Sequence, residues 1–415
     1  MHFLLLFPLT LKTFVCIITM VIELSKIYFH IDVNNAFLSW EAIYMIQNGE
    51  KIDIRNIESA IAGDPKKRTG VILAKSPKAK AMGVKTGEAI FEAKRKCPNI
   101  KLYPPHHDFY SKKSLEMKKL LENYSDVIEQ FSIDEFFIEY VPLFGTYMEV
   151  AKKIQQDILK SLGFTVNIGI SDTKYLAKVA SDFEKPNKIH TLFKSEIKEK
   201  LWPLKIQDMF LLGPKSAKKL REIGIDTVGK LANTNVEILK THLKSHGEEL
   251  YNFAWGYDMD EKHEKKDTPK SVSHSKTSVY DLTNLDEIYN FILDIVNDTC
   301  IRLRHENMKT KNISVTLKTN DFNTYSSSVT LDVAIDSTSE IFKICKKIFN
   351  NMYKHEPLRL IGVNLSCLEN SSSTQLNMFD TINEKTCIVD KTVDSLLEKF
   401  DNNGLITRGS LIKSK

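Results

Sequence analysis

The sequence offers little to cysteine chemistry. Its six cysteines, Cys16, Cys97, Cys300, Cys345, Cys367 and Cys387, lie far apart and form no C-x-x-C pair. A zinc site of paired cysteines and a disulfide framework are both unsupported, and a reducing cytoplasm fits this usage best. No repeat of fixed period is visible. Neither sign of charge dominates: the net charge of +5 permits a polyanionic partner without demanding one, because placement matters more than the sum. A long apolar run occurs at the start, MHFLLLFPLTLKTFVCIITMV, whose only full charge is Lys12. It lacks the basic n-region and the A-x-A-like cleavage site of a signal peptide. Met20 directly precedes VIELSKIYFHID, so the expectation is a start at Met20, with residues 1–19 owed to an upstream start codon. A short membrane anchor is the alternative, and no membrane partner is expected unless residues 1–19 are real.

What is present is a chain of 415 residues, 42% hydrophobic, long enough for roughly three domains that each bury a core. Apolar spacing predicts a strand over 27–31 and a helix over 36–48 that Gly49 ends. A Lys-rich turn from Asp64 to Gly70, a strand over 71–74 and a basic helical stretch from Pro77 to Lys96 follow. After a helix from Tyr110 to Tyr124, VIEQFSIDEFFIEY reads as a tight hairpin with Ser132-Ile133-Asp134-Glu135 at its turn. Helix 146–161, strand 164–170 and helix 173–184 complete a split βαβ, ferredoxin-like core. Residues 201–256 read as short helices broken at Gly213, Gly224 and Gly247, and 258–272 as a polar linker. Beyond it, helix 283–306, strands 311–318 and 325–333, helix 336–354 and strand 358–367 predict a smaller α+β unit.

Asp32 follows a strand whose end would hold its carboxylate rigidly, at a desolvation cost unless a cation or donor compensates it. The plainer reading makes Asp-Val-Asn-Asn a loop that caps the next helix. Asp134 and Glu135 converge on Asp32 if their strands are neighbours, although on their own they read as hairpin-turn residues. Three clustered carboxylates repel one another unless divalent cations neutralise them, and hard oxygen donors of this kind select Mg²⁺ or Mn²⁺. Two such ions roughly 3.5–4 Å apart clamp the attacking and leaving oxygens of a nucleotidyl transfer.

At these residues the chain resembles the Y-family, translesion DNA polymerases of the DinB/UmuC type, over about 26–412. HIDVNNAF resembles the first palm motif, SIDE the second, GISDTKYLAKVASDFEKPN the third, and LLGPKSAKKLREIGI the helix-hairpin-helix of the thumb. The resemblance implies a multidomain α+β right-hand polymerase: a ferredoxin-like palm over 25–43 and 98–196, small fingers over 44–97, and a helical thumb over 197–258. A linker over 259–272, a little finger over 273–370 and a tail over 371–415 follow, after an apolar extension over 1–24. It implies template-directed addition of dNTPs to a primer at two Mg²⁺ ions, with Mn²⁺ possible, in low-fidelity synthesis across damaged templates.

Carried over residue by residue, the resemblance makes Asp32, Asp134 and Glu135 the catalytic metal ligands, joined by the backbone carbonyl of Val33. Phe37 falls at the family's steric gate against a ribose 2′-hydroxyl; a core aromatic at the helix start is the plainer reading. Lys185 in EKPN fits the triphosphate-contacting lysine, or a solvated lysine before a proline. In SPKAKAMGVKTG, Lys80 stands where the family carries arginine and Pro77 where DinB members often carry tyrosine. Lysine lacks the bidentate contact of arginine, so nucleotide binding is expected to be weaker or differently arranged.

In the thumb, Gly213 and Lys215 open a helix whose free N–H groups suit a DNA phosphate, or are simply a helix N-terminus. Leu211 stands where the family usually keeps a glycine. Lys309, Lys311 and Lys318 face either a DNA backbone or solvent. Gln375, Leu376, Met378 and Phe379 in QLNMF resemble the motif that binds the replication sliding clamp. The expected partners are thus primed template DNA, dNTPs and the clamp. A non-catalytic DNA-binding accessory and a cyclic-dinucleotide synthase on a similar palm are the rival readings; the first leaves the acidic trio unexplained and the second the thumb and clamp motifs.

Overall fold

The computed structural model describes residues 26–64, 70–141, 145–258, 269–370 and 384–399. The apolar extension and QLNMF therefore lie outside the described residues, as do most of the Lys-rich turn and most of the polar linker. The described residues form two compact units, one ending at 258 and the other beginning at 269.

The first unit is organised by β1, Ile27–Val33, which runs two residues further than its apolar run predicts. After the helix Ala36–Gln47 come β2 (Ser59–Ala62), β3 (Ile72–Lys75) and β4 (Lys101–Tyr103). These three form their own sheet in the order β3-β2-β4, with β2 parallel to β4. Only β3 was expected, because strands of four and three residues are too short to show an alternation. Helices Pro77–Ala81 and Ile90–Lys96 flank this sheet's small core of Ala60, Ile72, Val84, Ile90 and Ile100.

The hairpin β5 (Ile128–Gln130) and β6 (Glu135–Tyr140), then β7 (Val166–Ser171) and β8 (Ile189–Thr191), join β1 in a five-stranded sheet ordered β5-β6-β1-β7-β8. β1 is central and antiparallel to both neighbours, so both of its edges are hydrogen-bonded. Alternate residues point to opposite faces. Phe29, Ile31 and Val33 enter a core with Trp40, Met117, Leu121, Ile154 and Ile158 from helices Ala36–Gln47, His107–Leu121 and Tyr147–Leu162. The other face carries His30 and Asp32 and is covered by helix Lys174–Ser181. That helix lies so close to β7 that a Cβ on Gly169 would sit 1.9 Å from the Ala177 carbonyl oxygen.

Helices Pro214–Glu222, Val228–Ala232, Val236–Leu243 and Ser245–Ala254 then build a separate apolar core that includes Leu220, Val228, Leu239 and Leu250. Gly247 breaks nothing: it sits inside the last of these helices, where a Cβ would come within 2.5 Å of the Leu239 carbonyl oxygen. Tight helix contact, not backbone freedom, explains it.

The second unit is a four-stranded antiparallel sheet ordered β11-β10-β12-β9, from β9 (Ser271–Leu282), β10 (Met308–Thr319), β11 (Thr324–Ile335) and β12 (Leu358–Asn370). Helices Leu285–His305 and Thr338–Met352 cover its apolar face. β9 begins inside the stretch expected to be linker, because its polar residues are those of a half-exposed edge strand. Helix Glu384–Lys399 adds to this unit through Arg304, whose Nε and Nη2 donate to Asp394 at 2.6 and 2.8 Å. Asp390 accepts the Thr338 N–H at 3.0 Å and caps a helix whose own N-cap, Ser337, makes no side-chain cap. Among the described residues no helix is long and apolar enough to cross a membrane.

Candidate active site

Asp32 lies within β1, its Cα paired with Glu135 of β6 on one side and with Asn167 of β7 on the other. Register alone thus sets two carboxylates side by side on the face under helix Lys174–Ser181. Asp32 is 6% exposed, and each acid is held by a lysine from the third motif. Lys185 Nζ lies 2.8 Å from Asp32 Oδ2, and Lys178 Nζ lies 3.0 Å from Glu135 Oε1 and 3.6 Å from Asp32 Oδ2. Asp182 closes the network at 3.1 Å from Lys178 and 2.8 Å from Lys185. On the far side, His30 Nδ1 meets Ser181 Oγ at 2.7 Å and Nε2 stands 3.5 Å from Glu135 Oε2.

The two carboxylates titrate apart. Burial pushes Asp32 up to about 6, with Lys185 and Lys178 opposing and the Glu135 charge adding to the rise. Burial also works against Glu135, but His30 and Lys178 overcome it and hold that group down at about 2. Burial disfavours the charge on Lys178, yet Asp182, Glu135 and Asp32 together raise its pKa above the usual lysine value. Buried acids and bases driven apart in this way are a recurrent property of catalytic clefts.

Asp134 is adjacent in chain but differently engaged: its Oδ1 accepts from Ser132 Oγ at 2.7 Å, and its carbonyl accepts the Val33 N–H at 3.1 Å. Among the described residues no group of three or more His, Cys, Asp or Glu side chains is gathered around one point. The structure thus brings together Asp32, Glu135 and Lys185, and ties Asp134 to Val33 through the backbone. The donor set nonetheless fits a divalent cation. The oxygens are hard, and Asp32 and Glu135 already receive one cation between them, the Lys178 ammonium.

Phe37, in the first turn of helix Ala36–Gln47, is half-buried; its ring stacks on Tyr110 with centroids 5.0 Å apart and meets His107 edge-on. Tyr110 is in turn fixed by its hydroxyl, which donates to the buried Glu41 carboxylate at 2.6 Å. Lys80 is exposed on helix Pro77–Ala81, near enough to Lys75 to help lower its pKa after burial. Asn35 Nδ2 donates to the Lys75 carbonyl at 2.8 Å and links the end of β1 to β3. Gly213 caps helix Pro214–Glu222 without a side chain, and Lys215 is exposed in its first turn. Leu211 holds φ +68, the left-handed backbone that a glycine takes at no cost. On β10, Lys311 pairs with Glu369 at 2.7 Å and Lys318 lies over the Phe322 ring.

Sequence reasoning passed over Lys178, His30 and Asp182. Lys178 and Asp182 lie one helical turn apart inside the quoted third motif, and His30 precedes Asp32 by two positions on a strand. Those spacings were the signals that could have found them.

Comparisons with known proteins agree on what this arrangement belongs to. The fold is that of Y-family polymerases: a Y-family DNA polymerase chimera of Dbh and Dpo4 superposes with a TM-score of 0.72 at 23% identity, covering 83% of this chain and 99% of that one. DinB from Sulfolobus solfataricus gives a TM-score of 0.51 at 22% identity over 82% of this chain and 98% of that one. The impB/mucB/samB family matches residues 31–182, its C-terminal domain 269–378, and its helix-hairpin-helix (HHH) motif 194–225. A DNA polymerase IV of Clostridium acetobutylicum is 44% identical over 398 residues, covering 94% of this chain and all of that protein. DNA polymerase IV 2 of Bacillus subtilis is 32% identical over 93% of this chain and 95% of that one. The chain belongs to the impB/mucB/samB family, the Y-family DNA polymerases.

Proposed function

We propose that the chain is a template-directed DNA polymerase that extends a primer with dNTPs by nucleotidyl transfer and copies damaged templates at low fidelity. The observation that carries this reading is the meeting of Asp32 and Glu135 across β1 and β6 under two lysines of the third motif. In this reading residues 25–43 and 98–196 are the palm, 44–97 the fingers, 197–258 the thumb and 273–370 the little finger, with 259–272 a linker and 371–415 a tail.

Asp32, Asp134 and Glu135, with the Val33 carbonyl, are the residues that would hold two Mg²⁺ ions, or Mn²⁺. Such ions, when bound, stabilise charge at the attacking and leaving oxygens of the transfer. The side chains do the rest. Phe37, backed by Tyr110, excludes a ribose 2′-hydroxyl from the sugar position. Lys185 and Lys80 bind the triphosphate, and Lys185 neutralises phosphate charge as pyrophosphate leaves. Gly213 N–H and Lys215 hold a DNA phosphate without reading sequence, as an enzyme that translocates requires. Gln375, Leu376, Met378 and Phe379 anchor the chain to a replication sliding clamp, in the cytoplasm.

Primer extension on a primed template with Mg²⁺ and dNTPs tests this, comparing the wild type with Asp134→Ala combined with Glu135→Ala. Extension by the wild type, lost in the variant, is expected. A wild type that shifts primed DNA in a gel yet adds no nucleotide with either Mg²⁺ or Mn²⁺ is instead an accessory DNA-binding protein.

A further inference from the structure

Two buried amides lie beneath the loop that carries Lys185, and nothing in the proposed chemistry uses them. Asn167 is fully buried as the second residue of β7, flanked by Val166 and Ile168 and at a position where asparagine is disfavoured. Its amide spends every hydrogen-bonding capacity it has. Nδ2 donates to the Ser181 carbonyl at 3.0 Å and to the Glu184 carbonyl at 2.7 Å. Oδ1 accepts the Lys188 N–H at 3.1 Å and Asn34 Nδ2 at 3.1 Å. Asn34, 8% exposed between Val33 and the helix that bears Phe37, accepts the Asn187 N–H on its own Oδ1 at 2.8 Å.

These bonds share one destination. Ser181, Glu184, Asn187 and Lys188 bracket Lys185, so two side chains fix the backbone on both sides of it. An apolar residue on a buried strand would avoid the desolvation cost of an amide, which is tolerable only when all its groups are bonded. The loop itself is exposed from Glu184 to Lys188, and its other backbone bonds fall at its ends, where the Lys188 carbonyl accepts the Ile168 N–H at 2.9 Å and Gln155 Nε2 at 3.2 Å and the Glu184 carbonyl meets His190 Nε2 at 3.3 Å. Lys185 Nζ stands 2.8 Å from both Asp32 and Asp182, an aim that a long, flexible stem keeps only if its Cα is fixed.

We propose that Asn34 and Asn167 are positioning residues that aim Lys185 at the phosphates of the incoming nucleoside triphosphate. This rests on the reading of Lys185 as a triphosphate ligand. The ladder also joins that loop directly to the end of β1, so the acid, the gate helix and the phosphate-binding lysine keep one geometry.

The test uses the full chain with primed template, Mg²⁺ and dNTPs, in wild type, Asn167→Ala, Asn34→Ala, Lys185→Ala and Asn167→Ala combined with Lys185→Ala. Lys185→Ala and Asn167→Ala should each raise the KM for dNTP about tenfold, the loss of one aimed ionic contact. Asn34→Ala, a milder cut, should raise it about threefold, and primer–template Kd should hold throughout. The double variant should be no worse than Lys185→Ala alone, because a residue that acts through Lys185 has nothing left to position. In metal-free protein, hydrogen exchange should quicken at the Lys188 amide in Asn167→Ala and at the Asn187 amide in Asn34→Ala. Effects of Asn167 and Lys185 that add fully, or faster exchange at those amides with unchanged KM, overturn the inference. Lys185→Ala with unchanged KM is a separate failure, visible in that variant alone: it removes the triphosphate reading and this one with it.

Discussion

Lys178 Nζ lies 3.0 Å from Glu135 Oε1 and 3.6 Å from Asp32 Oδ2, so a buried ammonium sits between two carboxylates that register has already placed side by side. Without it, metal-free protein would hold a buried acid and a half-buried one with one fewer counter-charge. Lys178→Met is therefore expected to cost about 3 kcal/mol of stability, the scale for breaking a buried ion pair on one side. Millimolar Mg²⁺ should raise the Tm of the variant more than that of the wild type, because the ion replaces the lost charge. Equal Mg²⁺ shifts in the two proteins would show that Lys178 does not stand at the cation position.

Phe37 is packed on Tyr110 and against the neighbouring core, and its ring is still partly open. Phe37→Ala should admit ribonucleotides into extended primers while dNTP extension continues, read on the same templates with NTPs alone. A half-buried ring lost to alanine should also lower stability by about 2 kcal/mol. Destabilisation with no ribonucleotide incorporation would leave Phe37 as a packing residue.

Gly169 lets helix Lys174–Ser181 lie against β7, and a Cβ there would meet two backbone atoms, Ala177 O at 1.9 Å and Ser181 N at 2.4 Å. Backbone cannot swing aside as a side chain can. Gly169→Ala should destabilise the chain by about 3 kcal/mol and move Lys178 off Glu135. Chemical denaturation gives the first effect, and loss of primer extension in variant that remains folded gives the second.

Leu211 adopts φ +68 just before the helix Pro214–Glu222 and is 43% exposed, so its side chain gives little packing in return for the strain. Leu211→Gly should stabilise the chain by about 1 kcal/mol, as relief of a left-handed backbone predicts, and leave primer–template Kd unchanged. A loss of stability would mean that Leu211 packs more usefully than its exposure indicates.

Much of the site could be read in advance because motifs are local. Asp32, Asp134, Glu135, Phe37 and Lys185 each sit in a short run whose residue types and order are distinctive. Helices Ala36–Gln47, Tyr147–Leu162 and Leu285–His305 were equally legible, since each shows apolar spacing over three or more turns. β2 and β4 were not, having four and three residues, and β9 hid in a polar stretch because an edge strand need not alternate cleanly.

Residue type and near-neighbour spacing, both written along the chain, already set which acids, lysines and aromatics it could bring to chemistry. Long-range packing is what makes Glu135 face Asp32 at one register, sets Lys178 between them, and lets Asn34 and Asn167 hold the Lys185 loop. Those relations join residues more than a hundred positions apart for Asp32 with Glu135 and for Asn34 with Asn167. They depend on strand order, on which face of β1 each side chain takes, and on a helix allowed close to β7 by one glycine, and none of these is a local property.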